Sequence, residues 1–175
     1  MANSKTLLVE KNRWIIFLPH TTRNCLEEHL CDIIEDLPPD KKDIYMSLSD
    51  CKSEDYEEKT EMGIWRTNNF ALGPSHSKCS NGVFPTIARF NHSCIPNAEF
   101  SWSEKRGRQE VRAIKSIEIG EEISLCYFTS KWQLESAEVR REYLFDHYGF
   151  RCDCKACTLT GDELIFFYVL FWYMY

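Results

Sequence analysis

No glycine occurs before Gly63, so the first third of this 175-residue chain holds no Gly-x-Gly turn. Internal repeats and low-complexity tracts are also lacking. Basic residues are not in surplus: 21 Lys and Arg face 27 Asp and Glu, a formal net charge of -6. A dedicated nucleic-acid binder carries the opposite balance, so no direct nucleic-acid contact is expected. Local acidity could still help hold a basic peptide. The opening residues, MANSKTLLVEKNR, contain no apolar stretch ending at a small-residue cleavage site, so neither a secretory address nor the disulfide framework that goes with one is expected. The apolar run Leu164–Tyr175, LIFFYVLFWYMY, falls short of the about 20 residues a membrane helix needs. It reads as an element packed on the domain or as a splice-generated tail, and no membrane contact is expected.

What is present fits one globular domain with a real core: 43% hydrophobic and 27% charged residues. Leu26, Leu30, Ile33, Ile34 and Leu37 recur at helical steps from Thr21 onward, with Asn24 as a cap and Pro38-Pro39 as the stop. Trp14–Leu18 is a possible strand, and 40–50 a second short helix. Ser53–Glu61 reads as an acidic solvated loop, Gly63–Leu72 as extended, and Gly73–Gly82 as a loop. Ala98, Phe100 and Trp102 alternate with polar residues, Lys105–Arg108 supplies a turn, and Glu110–Ile117 returns, which predicts a hairpin. Ile123–Phe128 reads as another strand. Ser136–His147 reads as an amphipathic helix with Val139, Tyr143 and Leu144 inward. The class expected is β-rich α+β with peripheral helices.

The nine cysteines carry the first chemistry. Cys152, Cys154 and Cys157 form a C-x-C-x-x-C run that brings three sulfurs together locally. Zinc takes four ligands in a tetrahedron, so a fourth must come from elsewhere. Of the six remaining, Cys25 and Cys31 fall in the first helix and Cys126 in a strand, positions that suit small buried hydrophobes. Cys94, beside a proline turn, is the best fourth ligand. Taken singly, the other motifs are bland. Asn91-His92 can satisfy backbone groups at a tight turn, Gly120-Glu121-Glu122 is a common turn, and a strand tyrosine such as Tyr127 is usually core.

In order they are specific. Arg89-Phe90-Asn91-His92-Ser93-Cys94-Ile95-Pro96-Asn97-Ala98, then a hairpin, then Gly120-Glu121-Glu122-Ile123-Ser124-Leu125-Cys126-Tyr127, then Tyr148-Gly149-Phe150-Arg151-Cys152-Asp153-Cys154-Lys155-Ala156-Cys157 resembles the SET-domain protein lysine methyltransferases. Within them it is most similar to the SET-and-MYND branch. The resemblance runs over roughly 63–160, with 21–50 similar to an insert region.

The resemblance implies a SET fold with a pseudoknot, in which the Tyr127 strand passes the Asn-His segment, and a small post-SET zinc site. It implies an N-terminal, insert-like helical region at 1–62, a SET catalytic core at 63–130, a post-SET zinc region at 131–160 and the apolar tail at 161–175. It implies that Asn91 and His92, with Arg89 and Phe90 adjoining, contact S-adenosylmethionine, and that Tyr127 is catalytic. Phe150 would cover the cofactor and, with Tyr127, wall the lysine channel, while Cys94, Cys152, Cys154 and Cys157 would hold a structural zinc. The partner implied is a protein with a target lysine, histone or other, in the nucleus or cytoplasm. The pattern departs at the start, where the family's Gly-x-Gly cofactor segment and the MYND finger have no counterpart. Three readings follow: an active lysine methyltransferase, a truncated form binding cofactor poorly, and a zinc-stabilised interaction module.

Overall fold

The computed structural model describes residues 6–10, 23–51, 53, 58–72, 80–128 and 135–159. The expected strand at Trp14–Leu18, the apolar tail, Cys79 and most of the acidic loop lie outside them. Among the described residues no helix is long and apolar enough to cross a membrane.

Two helices lead the chain in, α1 (Arg23–Glu35) and α2 (Pro39–Met46). Proline at the first position of α2 uses a site whose N–H has no intrahelical partner. The start of α1 at Arg23 puts Asn24 inside the first turn, so it is not the cap residue. The next helix, α3 (Glu61–Asn68), corrects the extended reading of Gly63–Leu72. Thr60 caps it, its hydroxyl accepting the Gly63 N–H at 2.9 Å. Met62, Ile64, Trp65 and Asn68 are all buried, so α3 is covered on most sides and shows no clean helical stripe. Only Asn69–Leu72 is extended, as β2, pairing antiparallel with β3 (Ser80–Val83). That pairing also places a strand where a loop was expected to continue.

Leu30, Ile34, Tyr45, Leu48, Met62, Ile64, Trp65 and Val83 form one core cluster among α1, α2, α3 and β3. The fully buried Tyr45 hydroxyl donates to the Glu61 carbonyl at 2.8 Å, worth about 1 kcal/mol net. Asp50 closes the bottom of α3. Its carboxylate accepts from Ser53 N, Thr60 N and Thr60 Oγ1, and it fills the space where any Gly63 side chain would be.

The hairpin is present. Strand β5 (Ala98–Ser103) pairs with β6 (Arg108–Ala113) in register Ala98↔Ala113 to Ser103↔Arg108, and β1 (Thr6–Glu10) adds to the far edge of β6. The return strand therefore starts earlier and ends earlier than the sequence suggested. The inner face carries Phe100, Trp102 and Val111 against Phe84, Ile87 and Leu125. On the outer face Glu110 is buried under Arg106, Arg108 and Arg112. These arginines, hydrogen bonds from Arg108 and Arg112 first, hold its carboxyl down to about 2.

The ladder β4 (Asn91–His92) to β7 (Ser124–Leu125) is short and parallel, pairing Asn91↔Ser124 and His92↔Leu125. The expected Ile123–Phe128 strand shrinks to two residues because side chains take over the backbone pairing on both sides. Buried Asn97 donates to Glu121 Oε1 and the Glu122 carbonyl and accepts from Ser124 N, each at 2.9 Å. Helix α4 (Ala137–Tyr148) is capped by Ser136 and ended by Gly149 at φ 73°, a conformation that favours glycine. A short helix α5 (Lys155–Thr158) follows the cysteine run. The architecture is thus mixed, with substantial helices beside short strands.

One expectation about α4 fails. Val139 is exposed, and Arg140 is the buried residue one turn before Leu144. Hydrophobicity alone selects valine for the inside; the polar ground beneath this helix selects arginine.

Candidate functional site

Two features lie back to back around the segment 90–94. The first is a sulfur cluster. Cys94 follows β4, Cys152 and Cys154 lie between α4 and α5, and Cys157 sits within α5. Their four sulfurs all sit within 4.8 Å of one another. Cys94 Sγ is 3.9 Å from Cys152 Sγ and 3.5 Å from Cys157 Sγ. A disulfide needs about 2.05 Å, and all four thiols are free. Four thiolates at about 2.3 Å from one tetrahedral ion stand roughly 3.8 Å apart along each edge, so the donor set fits zinc in spacing and in chemistry. Hydrogen bonds shared among the thiols hold Cys154 below the ordinary range and Cys157 down to about 6, and push Cys94 and Cys152 above it. Of the other cysteines read as small buried hydrophobes, Cys31 and Cys126 are half-buried, and Cys126 packs against the core that holds the thiol cluster.

The second feature is a cleft of about 820 Å³, within the range that small-molecule sites occupy. Arg89, Phe90, Asn91 and His92 line it together with Tyr127, Tyr148 and Phe150, and with Leu48, Ser49, Cys51 and residues 67–71. Gly149 lets Cys51 come close: a Cβ there would meet the Cys51 carbonyl at 3.3 Å.

Tyr127 is held at both ends. Its hydroxyl donates to the Phe90 carbonyl at 2.6 Å and its backbone N–H donates to His92 Nδ1 at 3.0 Å. Burial, with the Glu122 carboxylate second, pushes the phenol up to about 12, so it stays neutral. Tyr148 donates its hydroxyl to the Tyr127 carbonyl at 3.3 Å, and its ring lies 4.9 Å from that of Tyr127. Phe150 stands edge-on to Tyr127 at 6.3 Å.

His92 joins the two features. Nδ1 accepts from Tyr127, so the proton of the neutral ring resides on Nε2, which faces Cys94 Sγ at 3.4 Å. Burial drives the ring's pKa down to about 4 and keeps it neutral. One imidazole thus spans from a sulfur of the cluster to the backbone of Tyr127. Beside His92, Asn91 Nδ2 donates to Glu122 Oε1 at 2.6 Å, and Arg89 donates to Ser47 Oγ at 2.8 Å.

Several contributors carried no sequence signal of their own. Tyr148 and Glu122 stood inside quoted motifs without a role. Asn97 stood inside a quoted motif without a role, and Cys51 and Arg140 drew no reading of their own. Only the burial of Asn97 and Arg140 sets them apart, and burial of a polar residue cannot be read from composition.

A four-thiol cluster with the spacing of a metal centre and a cleft lined by aromatic residues thus share one histidine beside a half-buried tyrosine. The chain belongs to the SET domain family, whose model matches residues 7–128, reaching well before the first of the three motifs. It is 38% identical over 92 residues to the histone-lysine N-methyltransferase SMYD3 of Homo sapiens, covering 48% of this chain and 20% of that protein. It is 40% identical over 87 residues to the N-lysine methyltransferase SMYD2 of Gallus gallus, covering 50% and 19%. Over a longer stretch, 135 residues, it is 28% identical to the protein-lysine N-trimethyltransferase SMYD5 of Homo sapiens, covering 77% and 29%. The chain spans less than a third of the length of these relatives.

Proposed function

We propose that this chain is the site-bearing part of a protein-lysine N-methyltransferase that draws its methyl group from S-adenosylmethionine. The substrate would be a lysine of a histone or another protein, met in the nucleus or cytoplasm. The observation that carries the reading is Tyr127, a neutral, half-buried phenol in the lining of a ligand-sized cleft, with its proton already committed to the Phe90 carbonyl.

In this reading residues 63–130 are the catalytic core and 131–160 the zinc region, and the parallel β4–β7 contact is where the chain threads as a pseudoknot. Asn91 takes the amino-acid end of the cofactor. The His92 backbone lies near the adenine, with Arg89 and Phe90 adjoining and Phe150 covering. Bound S-adenosylmethionine supplies a methyl group on a sulfonium, an electrophile that needs no metal. The rest is positioning by the protein. Because the Tyr127 O–H points to Phe90, the hydroxyl offers a lone pair to the cleft and can accept an N–H from a lysine amine. Tyr148 and Phe150 form an apolar wall that disfavours a charged ammonium and so favours the free amine. Tyr127 and Phe150 flank the lysine path, which aligns the amine at near-attack distance. Cys94, Cys152, Cys154 and Cys157 hold zinc with no open position, which makes it structural. Through His92 and the 148–150 segment it would steady the aromatic lining of the cleft.

Calorimetric titration of the zinc-loaded protein with S-adenosylmethionine tests the proposal. Micromolar binding that weakens in Asn91→Ala supports it. A folded, zinc-loaded chain that binds no cofactor overturns it and points to the interaction module.

A further inference from the structure

The zinc centre needs more than its ligands. Four thiolates around a dication carry a formal charge of about -2, and Cys94, Cys152 and Cys157 are each less than 5% exposed, so water screens that charge poorly. Arg140 lies beneath them, 1% exposed. Its Nη2 donates to Cys157 Sγ at 3.4 Å and to the Ala156 carbonyl at 3.0 Å, and its Nη1 donates to the Glu135 carbonyl. Carbonyls satisfy the N–H groups of a buried guanidinium but leave its charge intact; thiolates offset it. The neighbouring residue supplies a built-in contrast. Arg141, half-buried on the same helix, donates to the Cys152 and Cys157 carbonyls, both at 2.8 Å.

We propose that Arg140 is the charge-compensating residue of the four-cysteine centre, a positioning residue whose buried guanidinium sets how firmly zinc is retained. The inference rests on the zinc reading above. It also explains why arginine, and not Val139, faces inward on α4. Burying the cation and binding the metal favour each other, so zinc secures α4 and with it Tyr148, the residue at the helix end that touches Tyr127. Arg141 anchors the same loop through neutral acceptors and carries no such coupling.

The test compares the zinc-loaded full chain with Arg140→Met, Arg140→Lys and Arg141→Met. Zinc release to an excess of a chromophoric chelator is expected to be roughly 10–100-fold faster in Arg140→Met, the range for outer-shell partners of metal ligands. Arg140→Lys should be intermediate, and Arg141→Met within about threefold of the parent on the same scale. With cobalt in place of zinc, the sulfur-to-metal charge-transfer band should move to lower energy in Arg140→Met, because a thiolate without its cationic donor is a better electron donor. It should stay in place in Arg141→Met. Should Arg140→Met fail to fold, the unaltered chain loaded with cadmium answers instead. NMR should show scalar coupling from the metal to an Arg140 guanidinium proton through Cys157 Sγ. Parent-like release and band position in a folded Arg140→Met, equal changes in Arg141→Met, or no cadmium coupling would each overturn the proposal. A chain that takes up no zinc overturns the zinc reading and this inference with it. A zinc-holding chain indifferent to Arg140 overturns this inference alone.

Discussion

Replacing Gly63 by alanine should destabilise this protein, although the general rule for a glycine inside a helix points the other way. Gly63 lies in α3, and alanine there gains about 1 kcal/mol from helix propensity. The opposing effect is steric. An added Cβ would stand 2.1 Å from Asp50 Oδ2 and 2.3 Å from Asp50 Cγ, well inside contact distance. Asp50 cannot swing aside freely, since its carboxylate accepts from Ser53 N at 3.2 Å, Thr60 N at 3.1 Å and Thr60 Oγ1 at 3.3 Å. Overpacking of this kind costs about 1–3 kcal/mol, and weakening the bonds to a partly buried carboxylate adds about 1–3 kcal/mol. The net loss expected is roughly 1–5 kcal/mol, or a Tm lower by about 3–15 °C for a chain of this size. Urea denaturation of Gly63→Ala, Asp50→Ala and the double variant checks both magnitude and cause. With Asp50 truncated, Gly63→Ala should reverse sign and stabilise by up to about 1 kcal/mol. A single variant as stable as the parent, or a double variant whose effects add without reversal, would refute the reasoning.

Tyr127→Phe should lower turnover at least about 100-fold, the scale of a lost transition-state hydrogen bond, while circular dichroism and cofactor binding stay near the parent's; unchanged turnover would remove Tyr127 from the catalytic role. Metal analysis should find one zinc per chain, lost in Cys94→Ser and in Cys152→Ser, and full retention in both would dismiss these ligands. Glu110 has a folded pKa of about 2, below its unfolded value, so its contribution is complete above roughly pH 4.3 and is lost as pH falls through about 2. Glu110→Gln should therefore flatten the acid limb of the stability curve, and an unaltered limb would show that the three arginines do not act through this carboxylate.

The parts of the molecule legible in the sequence are those set by local period or by a chemically narrow set of residues. Alternation over Ala98–Trp102 and the turn after it marked the hairpin, because one face of that strand meets the core and the other does not. The helix expected over Ser136–His147 is α4 to within a residue at each end. The C-x-C-x-x-C run pointed to a metal because few other roles suit three close thiols. Misreadings fall where surroundings override period. Helix α3 is buried on most sides, so its apolar residues follow no stripe and looked extended. Around β7, Asn97 supplies bonds that a strand neighbour would otherwise make. On α4, the thiol cluster turns an arginine inward in place of Val139. The Asp50–Gly63 fit had no signature at all, since it depends on a loop meeting a helix in space.

The histidine bridge has a bearing on how the chain reaches its native state. Tyr127 is fixed by Phe90 and His92, 37 and 35 residues earlier, and by Tyr148, 21 residues later. Cys94 meets Cys152 and Cys157 across 58 and 63 residues. No segment of the cleft can therefore assemble from its own neighbours, and loop-closure entropy must be met before any of these contacts forms. The hairpin and helices can appear early, whereas the tyrosine environment arises only once both ends of the 90–157 span have met. On the ribosome that moment comes only after Cys157 has emerged, so the tyrosine site forms later than the hairpin that precedes it in the chain.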